Sequence, residues 1–333
     1  MSRLAIVGAG SWGTALAMVL APRFETVGLW MHEADLAAGI AATRENSLFL
    51  PGFRLPENVT AVTGFEELLD GACTVLGVMP SRHARTVYTR MLPYLTPRMQ
   101  FVTATKGLEA GTLLRMSEVV ADVIGQSKFQ PPVAVLSGPT FAREVAGGEP
   151  TAVVIASGDA ELAASIQRQF AGPTFRLYTN SDTVGVEIGA ALKNVIAVAA
   201  GICHGLGLGS NAAAALITRG LAEITRLACA MGGQPRTLAG LAGLGDLVLT
   251  CSGGLSRNRS VGVELARGRT IGEITGSMRM VAEGVDTTAT AVELGRRRGV
   301  ELPIANQMDR ILRGAIAPRE AIRELMERGL RNE

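Results

Sequence analysis

Arg3-Leu-Ala-Ile-Val-Gly-Ala-Gly-Ser-Trp-Gly-Thr-Ala-Leu-Ala17 reads as a short apolar strand, a glycine turn and the first turns of an apolar helix. Gly8, Gly10 and Gly13 stand in the spacing G-x-G-x-x-G at the point where strand becomes helix. In that geometry Gly8 permits the tight turn and Gly10 lets the backbone approach a pyrophosphate. Gly13 lets helix pack closely on strand. Amides at the helix start, with the positive end of its dipole, then hold the anion. The stretch predicts a dinucleotide site; a tight turn with no ligand is the alternative.

Outward from this stretch, the first half of the chain alternates apolar runs with helical spacing. Strands are expected at 3–7, 25–30, 59–62, 73–79, 100–105, 133–137 and 151–156. Helices are expected between them at 11–21, 33–43, 81–92, 111–123 and 159–170. Residues 44–58, with Pro51, Gly52 and Pro56, read as a long ordered loop. Strand signals stop near residue 180, and 182–203, 211–231, 257–267, 284–298 and 303–314 carry helix-like apolar spacing. The expected fold is α/β: a Rossmann-like, mostly parallel, doubly wound sheet over 1–180 and an all-helical second domain over 181–333.

The composition narrows the function classes. A formal charge of +2 without basic runs, and 4% aromatics, speak against a nucleic-acid surface. The most apolar stretch, Val184 to Cys203, is interrupted by Glu187 and Lys193, so no stable membrane insertion is expected. The chain enters its first strand at once, which predicts no signal peptide and a cytoplasmic protein. Cys73, Cys203, Cys229 and Cys251 stand singly and read as reduced core residues. His32, His83 and His204 are too far apart in sequence to suggest a metal site.

Lysine usage is more pointed. Of 32 basic residues only Lys106, Lys128 and Lys193 are lysines. A lysine kept in apolar or glycine-rich surroundings suits proton exchange, which a guanidinium does not perform in the working range. Lys106 and Lys193 have such surroundings; Lys128 reads as a loop residue. In open α/β sheets ligands lie beyond the carboxyl ends of the strands. Met79-Pro-Ser81, Thr105-Lys-Gly-Leu-Glu109 and Ser137-Gly-Pro-Thr-Phe141 fall at those ends, where helix capping is the alternative reading. About twenty residues after Gly13 the chain offers His32, suited to a 2′-phosphate, and Glu33, suited to a free ribose. NADP(H) is the favoured cofactor, with NAD(H) allowed.

In the second half Glu187, Lys193 and Asn194 share one apolar helix, with 187 and 194 on one face. A buried ion pair that only fixes packing is the alternative to a chemical role. Leu241-Ala-Gly-Leu-Gly-Asp246 reads as a loop delivering one carboxylate. Ser256, Arg257 and Asn258 suit a phosphate, or else cap a helix. Val281-Ala-Glu283-Gly-Val285 is another polar turn before a helix.

Taken together these motifs resemble the bacterial-type NAD(P)-dependent glycerol-3-phosphate dehydrogenases, from residue 4 to about 310. The resemblance rests on Gly8-Ala-Gly-Ser-Trp-Gly-Thr-Ala15, Arg44-Glu-Asn46 with Leu50-Pro-Gly52, and Thr105-Lys-Gly-Leu-Glu109. It continues in Ser137-Gly-Pro-Thr-Phe-Ala-Arg-Glu-Val145, Leu192-Lys-Asn-Val-Ile-Ala197, Gly243-Leu-Gly-Asp-Leu247 and Ser256-Arg-Asn-Arg259. It departs at Asn211-Ala-Ala-Ala214, where the family usually has a basic residue near 213. The resemblance implies a 6-phosphogluconate-dehydrogenase-like fold and reversible reduction of dihydroxyacetone phosphate to sn-glycerol 3-phosphate. It implies cofactor contacts from Ser11, Trp12, His32, Lys106, Ala142, Arg257, Val281 and Glu283. Substrate contacts would come from Lys106, Gly138, Thr140, Lys193, Asp246, Ser256, Arg257 and Asn258, with Lys193 moving the proton. A homodimer is compatible with the sequence. The rival readings are a related two-domain reductase of another keto substrate and a non-catalytic NADPH sensor.

Overall fold

The computed structural model describes residues 2–126, 129–278 and 281–329, so Lys128 and the end of the second domain at 330–333 lie outside the described residues. The first unit holds strands β1 (Arg3–Val7), β2 (Thr26–Trp30), β3 (Val59–Val62) and β4 (Thr74–Gly77). It continues with β5 (Gln100–Thr103), β6 (Val133–Ser137), β7 (Thr151–Ala156) and β8 (Phe175–Asn180). They form one eight-stranded sheet in the order β3-β2-β1-β4-β5-β6-β7-β8. All neighbours are parallel except β6 and β7, which run antiparallel. Leu4, Ala5, Ile6 and Val7 have no exposed surface, as a central strand covered on both faces requires.

Helices α1 (Ser11–Leu20), α2 (Ala34–Thr43), α3 (Phe65–Leu69) and α4 (Ala84–Met91) cover this sheet with α5 (Met116–Ile124), α6 (Ala142–Ala146) and α7 (Ala160–Phe170). Two expectations shift here. The helix expected at 111–123 begins only at Met116, because Leu108 and Arg115 pair as an isolated bridge and Leu113 turns left-handed (φ 63°). Strand β8 was not expected at all. It is an edge strand whose Arg176 and Tyr178 face solvent, so it lacks the apolar run of the inner strands.

From Thr183 onward the chain is helical: α8 (Thr183–Gly205), α9 (Ser210–Ala230), α10 (Pro235–Leu238), a π-helical turn (Leu241–Gly245) and α11 (Asp246–Ser252). Then follow α12 (Arg257–Ala266), α13 (Ile271–Ser277), α14 (Glu283–Arg298), α15 (Pro303–Leu312) and α16 (Pro318–Met326). The segments α10, α11, α13 and α16, like α3 and α6 in the first unit, carry no expected element, each being too short for helical spacing to stand out. α8 is the axis of this unit, with α9, α10, α11, α12, α14 and α15 packed against it. It is long and apolar enough to cross a membrane, yet 94% of its most apolar window is buried by its neighbours. Gly201 on α8 and Gly262 on α12 let the two helices touch. A Cβ at either would lie 1.9 Å from Arg259 O or 2.0 Å from Val198 O.

Candidate active site

The first wall of the site is the glycine turn after β1. Gly8 has φ +121°, and a Cβ there would lie 2.9 Å from the backbone of Val78. A Cβ on Gly13 would lie 1.8 Å from Gly8 O, while Gly10 faces open space. No side chain caps α1 and no acidic residue sits in its first turn, so the positive end of its dipole is not countered. Trp12 Nε1 is buried without a hydrogen-bond partner among the described residues. These features fit an anionic dinucleotide. The expected loop 44–58 braces the turn. Asn46, with no exposed surface, donates to Ala9 O and to Thr14 Oγ1, each at 2.8 Å, and Ser11 Oγ donates to Phe49 O at 2.6 Å.

The second wall joins sheet and helices through charge. Lys106, just past β5, donates from Nζ to Asp246 Oδ2 (2.8 Å), Gly138 O (3.0 Å) and Thr140 Oγ1 (3.3 Å). Lys193, in the middle of α8, donates to Asp246 Oδ1 and to Thr250 Oγ1 (2.8 Å). Thr250 in turn donates to Asp246 O at 2.6 Å, which places its hydroxyl. One fully buried carboxylate therefore holds two ammonium groups, one on each of its oxygens. Burial pushes the Lys193 amine down to about 8; Asp246 pulls it upward, and the nearby Lys106 charge pushes it down again. The neighbouring Cys251 thiol is pushed up to about 12 by burial and stays protonated.

Asp246 does not come from a loop, as its glycine-rich surroundings suggested, but begins α11. The π-helical turn before it lets Gly243 close on Leu238, where a Cβ would meet Leu238 O at 2.1 Å. Nor does Glu187 belong with Lys193. Arg115 Nη1 pairs with Glu187 Oε2 at 2.6 Å, and Ser117 donates to the same carboxylate from N–H (2.8 Å) and Oγ (2.6 Å).

Beyond Lys193, Asn194 Oδ1 accepts from Asn258 Nδ2 and Asn258 Oδ1 accepts from Gly284 N, both at 2.9 Å. Ser256 caps α12, accepting from Arg259 N at 3.2 Å, which leaves its hydroxyl hydrogen available. Arg257 is exposed and has no hydrogen-bond or ion-pair partner among the described residues. Glu283 opens α14 and accepts from Ser81. Thus Lys106, Gly138, Thr140, Lys193 and Asp246 are in direct contact, and Asn258 adjoins them through Asn194. Gly8, Gly10, Ser11, Trp12 and Gly13 line the turn, and Ala142 opens α6, which packs on α1. Val281 is half-buried beside α14. His32 is exposed past β2 and makes no hydrogen bond to the others among the described residues.

Residue-by-residue reading placed Ser81 on the rim but not with Glu283, and did not assign Asn46 or Arg115 to the supports of the site. Thr250 opens the hydroxyl-rich stretch Thr250–Arg259 and lies four residues after Asp246, so on the same helix face.

Comparison with known proteins gives the same family across both halves. Profiles of the NAD-dependent glycerol-3-phosphate dehydrogenase N-terminus and C-terminus match residues 3–163 and 182–323. The chain is 57% identical over 330 residues to glycerol-3-phosphate dehydrogenase [NAD(P)+] of Koribacter versatilis, covering 98% of each. It is 53% identical to that of Geobacter sulfurreducens, covering 99% of this chain and 98% of the relative. A crystal structure of glycerol-3-phosphate dehydrogenase from Coxiella burnetii superposes with TM-score 0.94 at 42% identity, covering 98% of this chain and 99% of that one. With its motifs, its two matched halves and its relatives in agreement, this chain belongs to the NAD(P)-dependent glycerol-3-phosphate dehydrogenase family.

Proposed function

We infer that this chain catalyses the reversible NAD(P)H-dependent reduction of dihydroxyacetone phosphate to sn-glycerol 3-phosphate, a backbone precursor of glycerophospholipids. The observation that carries this reading is one buried carboxylate, Asp246, set between Lys106 and a Lys193 whose pKa lies near 8. When bound, the reduced nicotinamide supplies the hydride. Lys193 in its ammonium form faces the negative charge that grows on the ketone oxygen and gives that oxygen its proton. In the reverse direction its free amine takes the proton of the alcohol. Asp246 and Thr250 hold Nζ in place, and Lys106 adds positive charge beside it.

Arg257, exposed and without a hydrogen-bond partner among the described residues, supplies a bidentate grip for the substrate phosphate. The free hydroxyl hydrogen of Ser256, Asn258 and the positive end of α12 support the same role. Gly8, Gly10, Ser11, Trp12, Gly13 and Ala142 would hold the dinucleotide, with His32 at its ribose end. Lys106, Arg257, Val281 and Glu283 would complete its contacts. NADPH is the proposed favoured cofactor, with NADH accepted. In this reading residues 1–180 carry the nucleotide and 181–333 bring proton and phosphate grip. The burial of α8 supports a protein without stable membrane insertion. A cytoplasmic homodimer completes the proposal, its mass in solution being the check.

The test mixes protein, dihydroxyacetone phosphate and NADPH and follows loss of the reduced-nicotinamide absorbance. Rapid loss is expected, absent with unphosphorylated dihydroxyacetone. It should also be absent in Lys193→Met, with NADPH still bound. Near-normal kcat in that variant removes Lys193 from the mechanism. A wild-type protein that binds NADPH but leaves the ketone untouched overturns the substrate.

A further inference from the structure

The turn after β4 joins the two units through Ser81, a residue so far without a role, and Glu283, one of the proposed nucleotide contacts. Ser81 is buried there, 3% exposed, and donates twice to Glu283 at the start of α14. Its N–H reaches Oε1 at 3.1 Å and its O–H reaches Oε2 at 2.6 Å. Gly107, the neighbour of Lys106, backs this pair. A Cβ on Gly107 would lie 2.7 Å from Ser81 Cβ and Oγ and 3.0 Å from Glu283 Oε2. The glycine thus lets three segments meet: the ends of β4 and β5 from the sheet and the first turn of α14 from the helices.

Two donors on one carboxylate fix its orientation and favour its ionised form. The charged groups around Glu283 are Arg257 from α12 and Asp286 one turn further along α14. Asp286 pairs at 3.4 Å with Arg82, whose Nε lies 3.2 Å from His83 Nε2. We propose that Ser81 is a positioning residue: it holds Glu283 against the sheet rim and so seats the start of α14, with Arg257 beside it, on the nucleotide side of the cleft. Nucleotide affinity then depends on Glu283 being ionised. Burial pushes that carboxyl upward and the two bonds from Ser81 pull it back, so loss of the Ser81 hydroxyl raises it further. The proposal rests on the Gly8–Gly13 turn being the nucleotide site.

The test is the dissociation constant of NADPH, and of NADH, read from nucleotide fluorescence between pH 5 and pH 9. Wild-type affinity should weaken on the acid side as Glu283 takes up a proton. Ser81→Ala should move this acid limb upward by about one pH unit, the size of one hydrogen bond to a charged group. Glu283→Gln should flatten the limb, and adding Ser81→Ala to it should restore no pH dependence. That control also separates Glu283 from His83. An unmoved limb in Ser81→Ala, or a loss of affinity equal at every pH, overturns the proposal, since packing damage alone gives the latter. A shift that persists in the Glu283→Gln background does so too. A wild-type protein that binds neither nucleotide overturns instead the reading beneath it.

Discussion

At the scale of single residues, the informative group is the shared carboxylate. Asp246 and Lys106 act on the Lys193 amine with opposite signs, which makes their roles separable. As proton donor, Lys193 must be charged, so ketone reduction should slow as pH rises through about 8 and alcohol oxidation should quicken. Lys106→Met removes the like charge and leaves Asp246 to Lys193 alone. Both changes raise the amine, and the limb should move up by about one pH unit. Asp246→Asn removes the pull upward, and the limb should move down by a similar amount, with kcat reduced. Profiles of kcat against pH for both variants decide the matter; limbs that move in the same direction would exclude this electrostatic account. Arg257→Ala addresses the other end of the substrate. It should raise KM strongly for the phosphorylated ketone in steady-state kinetics, and an unchanged KM would remove Arg257 from the phosphate grip.

At the scale of elements, the position of α12 on α8 decides whether the phosphate grip faces Lys193. The contact is backbone on backbone at Gly201 and Gly262, so no side chain can yield to make room. Gly201→Ala should therefore cost about 3 kcal/mol, at the upper end for overpacking, and raise KM for the phosphorylated ketone as Ser256–Asn258 shift. Thermal unfolding together with KM tests this; an unchanged melting temperature would mean that the crossing is loose. The same elements mark what was legible in the sequence. The inner strands and α8 announce themselves because burial on all sides demands unbroken apolar runs. β8 is half-solvated at the sheet edge, and its alternation of Phe175, Leu177 with Arg176, Tyr178 is too short to stand out. Helical spacing at 111–123 hid a left-handed turn at Leu113, a backbone feature that apolar periodicity does not carry. Among site residues, those on glycine-rich rims were readable, since glycine there has few other uses. The pairings of Ser81 and Arg115 were not, because their partners Glu283 and Glu187 lie 202 and 72 residues away.

At the scale of the whole molecule, sheet and helices are held in register by a few polar joints. One of the deeply buried joints is Arg115 with Glu187, whose side chains are 11% and 3% exposed. Breaking it from one side strands a buried charge. Arg115→Met should cost about 3–5 kcal/mol of stability. Changing both, Arg115→Met with Glu187→Gln, should cost less than the single change, since an amide keeps an acceptor for Ser117 without the charge. Denaturant titration of the three proteins would show it, and a double variant weaker than the single would refute it. The scarcity of lysine has a different kind of consequence. In the described part of the chain, the lysine ammoniums of Lys106 and Lys193 both turn inward onto one carboxylate, while the surface writes its positive charge in arginine. Acylating or reductively alkylating reagents thus find few lysines on the outside, and covalent tagging through amines becomes a report on access to the cleft.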